Sequence, residues 1–204
     1  MKKNYLLFIA LCVLCVTLFL GSCGGGPGSP GSSGSQDTGI NPEITAISHS
    51  NVVSNQGDVW EIDDIQDICS GGTPEKFGND YADITFEGIA LNPNVPSTNV
   101  LTVTNYTVTF YSENPSNPTI NAISAGSQGG ILIEPGVGTG PYSFLIFTTG
   151  MKSTLVNALQ TINGPPSLPL LYNMEIVIYG QDKYGNSFSV SIIRQIAIED
   201  YDNC

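Results

Sequence analysis

Carboxylates are the side chains in this sequence best placed to do chemistry. Asp58, Glu61, Asp63, Asp64 and Asp67 crowd the stretch ahead of Cys69, and Glu199, Asp200 and Asp202 crowd the last residues before Cys204. Gathered oxygens of this kind suit calcium, which takes roughly six to eight oxygen ligands, although the spacing matches no EF-hand loop. A pair about 5 to 9 Å apart would suit glycoside hydrolysis. Other chemistries are short of parts. His49 is the single histidine and no G-x-S-x-G elbow accompanies it, while a zinc site built on His or Cys needs several such ligands. His49 is therefore expected to be an ordinary surface or loop residue. Gly136-x-Gly138-x-Gly140 leads into Pro141 and a strand instead of opening a helix, so it reads as a flexible loop and not as a phosphate cradle.

The elements that must position these residues begin with an address label. Lys2 and Lys3 precede an apolar run from Leu6 to Leu20 broken by Thr17, and small residues follow at Gly21 and Ser22. These are the charged, apolar and small-residue regions of an export signal. The run is about fifteen residues, shorter than the roughly 20 of a spanning helix. Leu20-Gly21-Ser22-Cys23 resembles the lipobox of bacterial lipoproteins. The resemblance implies that residues 1–22 are removed, that Cys23 is lipidated, and that the protein lives in the cell envelope with its N-terminal lipid in a membrane. Gly24 stands where an aspartate would resemble the inner-membrane retention signal of enteric bacteria, which favours the outer membrane.

Losing Lys2 and Lys3 takes the formal charge from −12 to −14. Such a surface is repelled by nucleic-acid phosphates and by anionic headgroups, so no nucleic-acid partner is expected and the lipid must supply membrane attachment. The several acyl chains implied by the lipoprotein resemblance suffice for that, where one alone binds only marginally. On the same resemblance Cys12 and Cys15 leave with the signal and Cys23 carries lipid. That implies a disulfide between Cys69 and Cys204 in an oxidising envelope. The bridge would be worth about 4 to 5 kcal/mol in the chain-entropy model. It would also draw the two acidic stretches together. Like charges so placed are either bridged by a cation, here calcium on Asp63, Asp64, Asp67, Asp200 and Asp202, or held apart by solvent. Beyond such a structural ion no cofactor is expected.

From Gly24 to Gly39, 13 of 16 residues are Gly, Ser or Pro, the composition of a flexible tether with a reach of about 20 to 25 Å. Residues 23–39 are thus lipidated cysteine and tether, and 40–204 the single domain. Its dominant pattern is period-two alternation between Gly, Pro and Asn clusters. Strands are predicted at Glu43 to Ser48, Asp58 to Ile65, Asp83 to Leu91, Val100 to Tyr111, Gly130 to Glu134, Tyr142 to Thr149, Tyr172 to Tyr179 and Phe188 to Ile198. Within the fourth, Leu101 and Val103 share one parity and Tyr106, Val108 and Phe110 the other, which predicts a bulge near Thr104 and Asn105. In the last strand Arg194 interrupts an apolar row and is expected near a sheet edge or against a carboxylate. Met151, Leu155, Leu159 and Ile162 recur at helical spacing and predict one short helix near 151–162, with its lysine on the polar face.

Tyr172 through Ile198 reads as a hairpin closed by Gly180-Gln181-Asp182-Lys183-Tyr184-Gly185-Asn186, with Tyr184 exposed at the tip. Tyr172, Ile176, Gly180, Asp182, Gly185 and Asn186 resemble the closing hairpin of bacterial immunoglobulin-like and fibronectin-III-like domains. The resemblance implies a β-sandwich and suggests the tyrosine-corner role for Tyr172. The fold class expected is therefore all-β: one antiparallel immunoglobulin-like sandwich of about seven to nine strands with one helix. The function expected is a non-catalytic, lipid-anchored binding, adhesion or assembly module with a protein or glycan partner at the cell surface. The alternatives are a carboxylate-dependent hydrolase of envelope or extracellular polysaccharide and an accessory subunit of a surface complex.

Overall fold

Alternation written into the sequence becomes two packed sheets. The computed structural model describes residues 38–50, 59–64, 72, 78–92, 98–127, 130–161 and 168–199. The smaller sheet has the order β1 (Ile40–His49), β3 (Asp80–Ala90), β7 (Gly138–Phe147), all antiparallel. The larger runs β2 (Val59–Asp63), β9 (Ser187–Glu199), β8 (Leu170–Asp182), β4 (Leu101–Tyr111), β5 (Ile123–Gly126), with β6 (Leu132–Ile133) also on β4. The expected all-β sandwich is what forms. One pairing departs from the antiparallel expectation: β2 runs parallel to β9, Asp63 opposite Glu199.

The core follows from strand parity. On β8 Leu170, Tyr172, Met174, Ile176 and Ile178 point inward, and on β3 Ala82, Ile84 and Phe86 do. β4 breaks register between Val103 and Asn105, the bulge that its phase change requires, and so both Val103 and Tyr106 are buried. Edge-to-face aromatic pairs lock the sheets together: Tyr106 on Phe144 at 5.1 Å and Phe110 on Phe147 at 5.6 Å, each worth about 0.5–1.5 kcal/mol beyond burial. The Tyr106 hydroxyl donates across the core to the Leu145 carbonyl, and burial pushes its pKa up.

Helix α1 (Thr149–Thr161) connects the sheets and begins two residues earlier than its apolar spacing predicted. Thr148 explains the difference, since its hydroxyl accepts from the Met151 amide at 3.1 Å as an N-cap. Leu155 is buried, with Met151 and Leu159 packed against the core as expected, while Ile162 lies outside the described residues. The Gly136–Gly140 run is not merely a loop: β7 starts at Gly138, paired with Glu87. β5 spans four residues, and its two inward side chains, Ile123 and Ala125, are too short an alternation to mark a strand in the sequence.

Candidate functional site

Asp182 organises the β8–β9 turn from within. Its Oδ1 accepts from the amides of Tyr184 and Asn186 at 2.8 and 2.9 Å, and its Oδ2 from the Asn186 side chain at 3.0 Å. Gly185 supplies the positive φ of 86° that the turn needs. Tyr184 is the most exposed large apolar side chain described, at 71%, with Lys183 Nζ over its ring.

Among the candidate ligands, Asp63 and Asp64 lie at the end of β2 and are buried. Parallel pairing brings them beside Glu199, whose carbonyl accepts from the Asp64 amide at 3.2 Å. The two acidic stretches therefore meet through backbone pairing, with Asp63 and Asp64 buried and Glu61 and Glu199 half-buried. Asp67, Asp200, Asp202, Cys69, Cys204 and Cys23 lie outside the described residues. Among the described residues no three His, Cys, Asp or Glu side chains converge on a common point.

His49 is the clear correction. It ends β1 6% exposed, with its ring stacked on Trp60 at 5.2 Å between centroids and 10° between planes. Its Nε2 lies 3.3 Å from Asp80 Oδ1, and Lys152 Nζ lies 3.0 Å from Asp80 Oδ2. The His49 contact has the distance of an ion pair without the alignment of a hydrogen bond. Lys152 is 2% exposed, not on the polar face of α1 where the sequence put it. Helical spacing selected Met151 and Leu155 and carried no information about a charged partner at the start of β3. His49, Asp80 and Lys152 thus converge from β1, β3 and α1 in a closed interior.

The outer face of the larger sheet carries a different kind of site. Past β4 the loop 112–117 is held by its own polar groups: the Asn114 amide and the Asn117 side chain both donate to Ser112 Oγ, and Ser112 Oγ donates to the Leu171 carbonyl at 3.1 Å. The Tyr172 hydroxyl anchors the loop's far end through Pro118 O at 2.7 Å. This bond reaches a loop distant in sequence, so Tyr172 does not make the local contact of a tyrosine corner. Burial pushes its pKa up to about 12. Between this loop and β8 opens a concavity of about 210 Å³, lined by Tyr111, Glu113, Asn114, Asn117, Leu171, Asn173 and Gln195 among others. Tyr111 and Leu171 are 55% and 46% exposed there, and Tyr111 donates its hydroxyl proton to Glu175 Oε2 at 3.3 Å. Among the described residues of the lining Glu113 is the one carboxylate. The sequence offered no route to this site, because its residues come from β4, the following loop, β8 and β9.

Protein-family models, curated proteins and solved structures were all compared with the chain, and none of them matches it.

Proposed function

We propose that this protein is a lipid-anchored, non-catalytic binding module of the cell envelope, and that its ligand is a neutral glycan taken on the outer face of the larger sheet. The observation carrying the reading is the concavity beside Tyr111. A sugar ring presents a C–H face and a rim of hydroxyls that both donate and accept. Tyr111 and Leu171 offer exposed apolar surface, and Asn114, Asn173 and Gln195 offer amides, which both donate and accept. At about 210 Å³ the hollow is smaller than the roughly 300 Å³ of a ligand-enclosing pocket, which suits contact with one or two residues of a longer chain. The formal charge of −12 argues against an acidic polysaccharide. The acid–base groups at His49, Asp80 and Lys152 are buried away from any substrate, which also favours binding over catalysis.

Affinity electrophoresis of the detergent-solubilised protein through gels holding neutral polysaccharides tests the reading. Retardation is expected, with Tyr111→Ala and Asn173→Ala each weakening it about tenfold, or about 1.4 kcal/mol, at unchanged circular dichroism. Absence of retardation by every neutral polysaccharide, or retardation of both variants as strong as that of the unsubstituted protein, would reject the site. Attachment through Cys23 is tested separately, since Cys23→Ser is expected to move the protein from the membrane pellet to the soluble fraction.

The register of β2 supports the Cys69–Cys204 bridge as part of the same proposal. Asp63 faces Glu199 with both strands running the same way, and Cys69 lies six residues beyond the first while Cys204 lies five beyond the second. The two cysteines thus follow paired strand ends at nearly equal distance.

A further inference from the structure

We propose that Lys152 and Asp80 are the precursors of an intramolecular isopeptide bond, formed between Nζ of the lysine and Cγ of the aspartate. The inference is independent of the glycan reading. Lys152 Nζ lies 3.0 Å from Asp80 Oδ2, with side-chain exposures of 3% and 7%. The other carboxylate oxygen, Oδ1, lies 3.3 Å from His49 Nε2, and Trp60 stacks on that imidazole. Three requirements of an amide-forming site therefore coincide: a primary amine beside a carboxyl, a group able to carry protons on the oxygen that must leave, and a dry interior.

Energetics favour the condensed state at this place. Two buried charges carry a large desolvation cost that their attraction does not always repay. An amide in their place leaves no buried charge, and the water formed escapes to solvent.

Atoms and protons balance within the three residues. One proton passes from the ammonium to the carboxylate, which neutralises the pair. The freed lone pair of Nζ attacks Cγ and forms the C–N bond. His49 delivers a proton to Oδ1 and takes in exchange the second proton that Nζ gives up; with the first proton also moved from the carboxyl group onto Oδ1, that oxygen carries two and the imidazole ends as it began. The Cγ–Oδ1 bond breaks and Oδ1 leaves as water, with Oδ2 kept as the amide carbonyl oxygen. The product ties the start of β3 to the first turn of α1. Since α1 is the connection between the sheets, the bond would clamp one end of the sandwich covalently.

Trypsin digestion of the full-length protein followed by mass spectrometry tests this. Trypsin does not cut after an acylated lysine, so the expected product is one fragment running from Phe77 to Lys183, lighter than its sequence mass by one water. Lys152→Arg and Asp80→Ala are each expected to restore the full mass, and Lys152→Arg to restore cutting at 152. His49→Gln is expected to slow the mass loss in freshly made protein. Full-mass peptides ending at Lys152 and starting at Ser153 would overturn the proposal and leave a buried ion pair. Loss of water with cutting after Lys152 intact would mark a succinimide at Asp80 and would overturn it equally.

Discussion

Replacing Tyr172 with phenylalanine removes one oxygen and leaves the ring in place. The hydroxyl donates to the Pro118 carbonyl at 2.7 Å, and the residue is 3% exposed. At pH 8 the lost bond and the stranded carbonyl are expected to cost about 1.5 kcal/mol. Above pH 10 the balance turns. Burial pushes the phenol up from 10.0 to about 12, so the folded chain keeps its proton after the unfolded chain has released it. The contribution of this tyrosine is complete below pH 10 and is lost as the pH climbs toward 12. The ceiling is about 1.4 kcal/mol per pH unit, and a partly wetted hydroxyl realises less than that. The deficit of Tyr172→Phe is thus expected to shrink by about 1 kcal/mol by about pH 11 and to close on the way to 12. Tyr106, whose pKa burial also raises, is present in both proteins and cancels. Urea unfolding followed by Trp60 fluorescence at several pH values measures the gap directly. A gap that stays constant from pH 8 to above pH 11 would refute the argument, as would equal stability at pH 8.

Other substitutions probe the scaffold of the site. At Gly180 an added Cβ would overlap the Thr102 carbonyl oxygen and the Phe188 ring, so Gly180→Ala is expected to cost about 3 kcal/mol, read as a lower urea midpoint; a loss under 1 kcal/mol would show that β4 and β8 are not so closely apposed. Asp182→Ala strands two amides of the β8–β9 turn and is expected to cost about 2 kcal/mol, with Asp182→Asn milder because it keeps an acceptor; equal losses would mean that charge, not acceptance, matters. Non-reducing mass analysis after alkylation is expected to show Cys69 and Cys204 unmodified, and two alkylated thiols would dispose of the bridge. Calcium on the Asp63–Asp64 end of β2 is expected to raise the thermal midpoint, and an unchanged midpoint at millimolar calcium would end that expectation.

What the sequence disclosed, and what it hid, divides by the range of the interactions. Among the described residues alternation placed eight of the nine strands, because each strand's parity is fixed by which face meets the core. The bulge at Thr104 was legible for the same reason, as two parities in one strand cannot both point inward without it. Asp182 and Gly185 announced their turn because an Asx contact and a positive φ are local requirements. Long-range partnerships left no local trace. His49 looked like a surface residue because nothing near it in sequence reveals Asp80 or Trp60, and Lys152 looked polar because helical spacing ignores what lies opposite. The parallel β2–β9 pair was equally hidden, since alternation fixes faces and not strand direction. Tyr111, Asn114, Leu171 and Gln195 share a hollow only after β4, β8 and β9 have assembled.

The proposed role rests on that hollow. Titration of isotope-labelled protein with a neutral oligosaccharide, observed at the side-chain amides of Asn114, Asn117, Asn173 and Gln195, tests it most directly. Saturable shifts confined to these amides and absent in Tyr111→Ala are expected. Shifts centred on the opposite sheet, or none at saturating sugar, would contradict it.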